Sequence, residues 1–208
     1  MRIHVEYNRE CVDLDDERFV IEHVATIFEH TADDEEVCVG RVWFDRVLAL
    51  SAISAGRPLE DVCDGSSQGL YHCYQILYAD SEDDGFVSPE LGGPEPVHEL
   101  VLIHDAVWHP VSTVFQPAFV YELGELLDCH SIIFAWRKAF TAADADLRTA
   151  GLMRIYGEPD ALYRLNVMDC ELSKAADILP VRPLPIISEV VKSAPLAYVD
   201  DETRRRHG

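Results

Sequence analysis

The residues from 99 to 136 limit the possible folds of this chain more than any other stretch. They begin with the apolar run ELVLIHDAVWHP, pass through the turn VSTVFQP into a helical pattern, and end with the apolar run SIIFAW. Both faces of the first run are largely apolar, as in a central strand that is buried on two sides. A strand–helix–strand unit whose strands are both buried predicts a mixed α/β sheet.

Other patterns predict strands and helices on either side of this unit. Residues 19–29 and 37–44 are rich in β-branched and aromatic types, which favours a strand hairpin. Before the central unit we expect a helix over 46–55 between Asp45 and Gly56, a connection over 56–65, a helix over 68–78 capped by Ser66 or Ser67, and a loop over 80–98. Within the unit we expect a helix over 117–128 whose inward residues are Phe119, Val120, Leu123, Leu126 and Leu127. After it we expect a helix closed by Gly151, then a strand, and a final strand over 161–169. We therefore predict an α/β fold whose mixed, mostly antiparallel central sheet is flanked by helices.

The composition is that of a globular chain with one main domain. It has 208 residues, of which 48% are apolar, which is sufficient for a sizeable core. We expect a domain over residues 1–170 and a proline-containing extension over 171–208, with an acidic connection over 12–18. Since no apolar run approaches the roughly 18 residues of a membrane span, and the N-terminal residues lack the core of a signal peptide, we expect a cytoplasmic protein without membrane contact.

The charge is strongly acidic. The chain carries 38 acidic and 17 basic residues, which gives a formal net charge of −21. Such a charge repels phosphate backbones and argues against direct nucleic-acid binding. It is compatible with a basic protein partner, although a plain solubilising role explains it as well.

Several stretches together resemble the GNAT N-acetyltransferase fold over residues 19–169. These are the strand end AVWHP, the strand SIIFAW, the run DLRTAGL and, more loosely, Asp64 with Ser67 and Gln68 at a helix opening. The resemblance implies that the turn after the fourth strand, with the helix that follows it, corresponds to the site that holds the acetyl-CoA pyrophosphate. Glycines and bare backbone N–H groups at such a helix start favour bound phosphate.

The turn in this chain departs from the family pattern R/Q-x-x-G-x-G/A. The basic position falls on Thr113, the two glycine positions fall near Val114 and Gln116, and only Ala118 fits. Pro117 removes a further backbone donor. If a cofactor is bound, the resemblance implies that it meets Val107, Ser112, Thr113, Val114, Gln116 and Ala118. Because the turn is degenerate, we expect no cofactor, and acetyl-CoA only if the turn binds in an unusual way.

Two residues are candidates for catalysis. Asp105 lies within an apolar strand, where burial would raise the pKa of a general base, but a carboxylate held by hydrogen bonds or an arginine is the simpler interpretation. Tyr156 could replace the tyrosine that many family members place where this chain has Leu147. No metal site is predicted, because the six cysteines form no C-x-x-C pair and because His104 and His109, which flank Asp105, point to different faces of the strand.

Three functions remain open on this pattern. The first is a GNAT-like protein that has lost acetyl-CoA binding and acts as an acidic interaction or regulatory module. The second is an acyl-CoA-dependent N-acyltransferase with a diverged pyrophosphate turn. The third is an acidic mimic of nucleic acid that inhibits a DNA-binding protein.

Overall fold

A computed structural model describes residues 1–8, 19–30, 35–78, 87–88, 91, 96–110, 112–127, 130–166 and 198–207. The acidic connection expected over 12–18, most of the loop expected over 80–98 and most of the extension over 171–208 lie outside the described residues.

The described strands form one seven-stranded sheet. Its strands are β1 (Arg2–Asn8), β2 (Val20–His30), β3 (Glu36–Val47), β4 (Glu99–Trp108), β5 (Ser131–Trp136), β6 (Met153–Ile155) and β7 (Glu158–Asn166). The spatial order is β1-β2-β3-β4-β5-β7-β6. β4 and β5 are parallel, whereas the other neighbouring pairs are antiparallel. The predicted α/β class with a mixed, mostly antiparallel sheet is confirmed.

Helices cover both faces of the sheet. They are α1 (Ala49–Ser54), α2 (Leu59–Ser66), α3 (Gln68–Tyr78), α4 (Phe115–Leu126), α5 (Asp144–Thr149) and α6 (Tyr198–His207), with a 3-10 turn at Arg137–Ala139. One apolar cluster packs α4 and α5 against the sheet, and a second packs α1, α2 and α3 against the opposite face. Within the described ranges, no helix combines the length and apolar character needed to span a membrane.

The alternation of side chains along β4 divides that strand between the two clusters. Val101 and Ile103 belong to the cluster under α4, whereas Leu100 and Leu102 belong to the cluster under α1–α3. The alternation changes at His104, because Trp43 pairs with Asp105 while Phe44 pairs with Ile103. This β-bulge places one extra residue in β4 and turns Asp105 toward the face that carries Trp43.

Several expected local features are confirmed. The β2–β3 hairpin, β4, β5 and β7 lie where the apolar runs predicted strands. Ser67 caps α3, since its Oγ accepts a hydrogen bond from the Leu70 N–H at 3.1 Å. Gly56 and Gly151, which follow α1 and α5, have φ angles of 75° and 83° that glycine adopts without strain.

Other expectations are wrong. Asp45 does not cap a helix, because β3 continues through it to Val47. The connection expected over 56–65 contains α2, whose buried residues Leu59, Val62 and Cys63 follow a helical spacing. Leu126 is 68% exposed, since it lies in the last turn of α4, beyond the sheet-facing stripe. The strand β1 and the helix α6 were not predicted.

Candidate functional site

The two parallel strands separate before β4 ends. β4 pairs with β5 from Glu99 to Ile103 but continues along β3 as far as Trp108. The chain then turns at His109 and enters α4, while the residues after β5 form the 3-10 turn and the start of α5. We call the space between these segments the β4–β5 corner, and define it by residues 107–110, 112–118 and 137–142. This is the place at which the resemblance locates the cofactor.

The Trp108 side chain lies at the β4–β5 corner and is buried. Its indole Nε1 donates a hydrogen bond to the Ala139 carbonyl at 2.8 Å. Its ring meets Phe119 edge-on at 5.9 Å and stacks on Phe140 at 6.4 Å between ring centroids. The ring also lies so close over Gly40 that any Cβ there would overlap it. An aromatic side chain therefore joins β4 to the segment after β5.

Gln116 closes the same corner with hydrogen bonds. Its side chain is fully buried. Nε2 donates to the Thr141 hydroxyl at 2.6 Å, and Oε1 accepts from the backbone N–H groups of Thr141 and Ala142 at 2.9 and 2.8 Å. The amide thus ties the first turn of α4 to a segment 25 residues further along the chain. This long-range contact carries no signal in the local sequence pattern.

The six residues expected to meet a cofactor are among those that define the corner, and their contact with a cofactor stays a prediction. Val107, Ser112 and Gln116 are buried, Thr113 and Ala118 are half-buried, and Val114 is 42% exposed. The Ser112 hydroxyl donates a hydrogen bond to the His109 carbonyl. The hydroxyl of Ser112 and the amide of Gln116 are therefore engaged with protein groups.

Asp105 lies on the face of the sheet that carries Trp43, and it is held by several groups. Its Oδ1 accepts a hydrogen bond from the Ala106 backbone N–H at 2.8 Å. Arg206 Nη1 lies 3.4 Å from Oδ1, and His207 Nε2 lies 3.2 Å from Oδ2. Both partners come from α6, so this carboxylate matches the simpler interpretation of a paired acid.

A second carboxylate, Asp45, lies on the same face of the sheet. It pairs across the strands with Glu22, and its Oδ1 lies 3.7 Å from Nε2 of His104. Burial, together with the like charge of Glu22, raises the pKa of Asp45 to about 6. Burial lowers the pKa of His104, against the charges of Asp105 and Glu22. The sequence pattern predicts only a helix cap at Asp45, because the burial of its side chain depends on strand pairing.

Substituting Asp45 by asparagine is expected to stabilise the fold at pH 7.5 by about 3 kcal/mol, since burial raises the pKa of Asp45 from 3.8 to about 6 and one pKa unit corresponds to about 1.4 kcal/mol. The folded chain binds a proton at Asp45 more tightly than the unfolded chain does, because its folded pKa is about 6. The destabilisation by ionised Asp45 is therefore complete above pH 6 and fades as the pH falls toward about 4.

Urea unfolding of both chains at pH 7.5, 6 and 4 measures this difference. The gap between them should shrink to below about 1 kcal/mol at pH 4. Asp64→Asn, at an exposed position of α2, is the matched control and should change stability by less than about 0.5 kcal/mol throughout. A pH-independent effect of Asp45→Asn would contradict the shifted pKa.

Tyr156 lies apart from Asp105. It stands in the turn between β6 and β7, and β5 and β7 separate β6 from β4. Its side chain is 96% exposed, on the rim of a cleft of about 460 Å³ that also meets His72, Arg154 and Tyr163. The structure therefore does not bring the two predicted catalytic residues together. Leu147, at the position of the family tyrosine, is fully buried.

Comparisons with protein-family models, with curated proteins and with solved structures found no match to this chain. Among the residues that the structure describes, no group of three or more His, Cys, Asp or Glu side chains is arranged to hold a metal ion. The class that the fold defines is a mixed α/β protein, and its function rests on the site alone.

Proposed function

We propose that this chain is a GNAT-like protein that does not bind acetyl-CoA in the usual way and acts as an acidic interaction or regulatory module. The observation that carries the proposal is the filled β4–β5 corner. We infer that the Trp108 ring and the buried Gln116 side chain take the space in which a pyrophosphate would meet backbone N–H groups, because both are bonded to the segment after β5.

The sheet supports the GNAT-like part of the proposal. A parallel pair, β4 and β5, is joined by α4 and separates toward the carboxyl end of β4. Both strands are buried, and the pair is set in an otherwise antiparallel sheet. The order of elements in the sequence implied a mixed sheet with a strand–helix–strand unit, and the sheet contains one.

A missing backbone donor and an engaged side-chain amide both disfavour a bound diphosphate at the corner. Phosphate oxygens need several bare N–H groups at close range, and Pro117 offers none in the first turn of α4. The Gln116 amide already accepts the N–H groups of Thr141 and Ala142. Displacing this amide would leave buried polar groups without partners, at a cost of roughly 1–3 kcal/mol for each group.

The acidic surplus supports a contact with a basic partner. Of the 38 acidic and 17 basic residues, 20 acidic and 12 basic residues lie in the described ranges. The remaining segments thus carry 18 acidic and 5 basic residues, which is the larger part of the net charge. Segments with such a surplus attract basic surfaces at low ionic strength.

A working acyltransferase is the second candidate, and the polar groups on the Trp43 face favour it. Asp45, with a pKa of about 6, lies beside His104, and Asp105 is the neighbour of His104 in sequence. A carboxylate whose pKa is near neutral is suited to act as a general base for an amine. This candidate also requires that acetyl-CoA enter the filled corner.

Thermal unfolding with and without acetyl-CoA separates the two candidates. A ligand that binds only the folded chain raises the midpoint by mass action. We expect 1 mM acetyl-CoA, a concentration at the upper end of ordinary Michaelis constants, to move the unfolding midpoint by less than about 1 °C. Sodium sulfate at the same ionic strength is the control for unspecific anion effects. A saturable rise with acetyl-CoA alone would overturn the proposal and favour the acyltransferase instead.

A further inference from the structure

The helix α6 packs on β3 and β4, across the Trp43 face of the sheet. Val199 is fully buried there. The Tyr198 ring meets the His109 ring edge-on, with centroids 5.8 Å apart. Asp200 forms an ion pair with Arg41 of β3 at 3.3 Å. These contacts fix the first turn of α6.

The last turn of α6 covers Asp105 and Trp43. Arg206 Nη1 approaches Asp105 Oδ1 at 3.4 Å and donates to the Ala106 carbonyl at 3.3 Å. His207 Nε2 lies 3.2 Å from Asp105 Oδ2. The His207 ring also stacks on the Trp43 ring at 4.2 Å between centroids. A single turn of α6 therefore places Arg206 and His207 against Asp105, and His207 also against Trp43.

The contacts made by α6 are of kinds that another chain could replace. Its ion pairs with the sheet are partly exposed, with side-chain exposures of 45% for Arg206, 36% for His207 and 30% for Asp105. Such pairs are weak and are screened by salt. A helix of ten residues is also marginal by itself. The helical state of α6 therefore depends on its place on the sheet.

We propose that the surface formed by Trp43, Asp105 and the adjoining Arg41 is a docking site for a basic helical segment of a partner protein, and that α6 occupies this surface in the free chain as an internal competitor. This inference rests on the proposed function as an interaction module. It adds where the partner binds and what chemistry the partner presents. An arginine reaches Asp105, a flat cationic or aromatic group stacks on Trp43, and an apolar residue replaces Val199.

Charge complementarity favours a basic occupant over an acidic one. The carboxylate of Asp105 is the acid that the last turn of α6 reaches, and that turn contains Arg204, Arg205 and Arg206. Glu202 of α6 itself pairs with Arg205 and Arg206 on the helix. A competitor with the same basic turn would restore the contacts of the last turn of α6, and an acid in its first turn would restore the ion pair with Arg41.

The test uses the full chain and a labelled peptide with the sequence of residues 198–207, YVDDETRRRH. The double variant Arg206→Glu/His207→Glu loosens α6 and leaves the sheet surface intact. We expect it to bind the peptide at least about tenfold more tightly than the unchanged chain, because apparent affinity falls with the fraction of open sites. Fluorescence anisotropy gives both affinities. Arg204→Glu/Arg205→Glu, which changes arginines outside the Asp105 contacts, is the control for the loss of positive charge.

A third chain locates the peptide. Adding Asp105→Asn to the double variant should weaken peptide binding by about tenfold, the order expected for a lost charge-assisted contact. Equal affinity in the unchanged chain and the double variant would overturn the inference, as would peptide binding that Asp105→Asn leaves unchanged. If the double variant does not fold, amide exchange over residues 198–207 in the unchanged chain decides. It should accelerate at least about tenfold between 0.1 and 1 M NaCl, and salt-independent exchange would reject the contact.

The outcome is distinguishable from failure of the proposed function. Saturable binding of acetyl-CoA would remove the proposed non-catalytic function, whatever the peptide does. Failure of the peptide experiment with acetyl-CoA still unbound would leave an interaction module whose docking surface lies elsewhere.

Discussion

Replacing Trp108 by alanine is expected to lower the free energy of unfolding by about 3–5 kcal/mol, the usual range for a large buried aromatic residue. The substitution removes the ring that packs against Phe119 and Phe140. It also removes the N–H that satisfies the Ala139 carbonyl. The substitution would leave a cavity at the end of β4, where the ring both packs in the core and links β4 to the segment after β5. Urea unfolding followed by far-UV circular dichroism measures the loss.

Trp108→Phe is the matched control for this substitution. It keeps an aromatic ring and loses the hydrogen bond to Ala139, so we expect a loss of about 1–2 kcal/mol. The difference between the two variants isolates the contribution of packing. A loss below about 1 kcal/mol for Trp108→Ala would mean that the corner is not part of the core.

Replacing Gln116 by leucine is expected to lower the free energy of unfolding by about 2–3 kcal/mol. Leucine has a similar volume, so little cavity is left. The substitution removes one donor and one acceptor from three hydrogen bonds that reach Thr141 and Ala142. The Ala142 N–H would then be buried without its acceptor, which is the larger part of the expected cost.

Gln75→Leu gives the comparison for this amide. Gln75 lies at an exposed position of α3, so the same change of residue type should alter stability by less than about 0.5 kcal/mol. Unfolding in urea at pH 7 serves for both variants. Equal effects at the two positions would show that the Gln116 amide does not hold the corner together.

The central part of the fold could be predicted because its sequence pattern is local and strong. β4 and β5 are continuous apolar runs, as expected for strands buried on both faces. Between these strands, the spacing of polar and apolar residues follows the helical period and predicts α4. β1 was missed because it is an edge strand whose described residues are exposed or half-buried. α6 was missed because it buries only Val199 fully, and its charged sequence favours a solvated end.

The positions around the candidate site could be predicted, but their environment could not. The sequence pattern predicts cofactor contacts in the turn from Ser112 to Ala118, and these contacts stay a prediction. It gave no sign that Gln116 would bond with residues 141 and 142, because that contact depends on where the chain returns after β5. The bulge at His104 also changes which face Asp105 occupies, and bulges depend on the neighbouring strand.

The most direct test of the filled corner is amide chemical-shift mapping of the full, isotope-labelled chain during titration with coenzyme A. The amides of residues 112–116 and 118, together with Thr141 and Ala142, report on the site itself. We predict that these resonances show no saturable shift up to several millimolar coenzyme A, a concentration on the order of the dissociation constants of weak complexes. Saturable shifts concentrated in these residues would contradict the proposal and show that a diphosphate enters the β4–β5 corner.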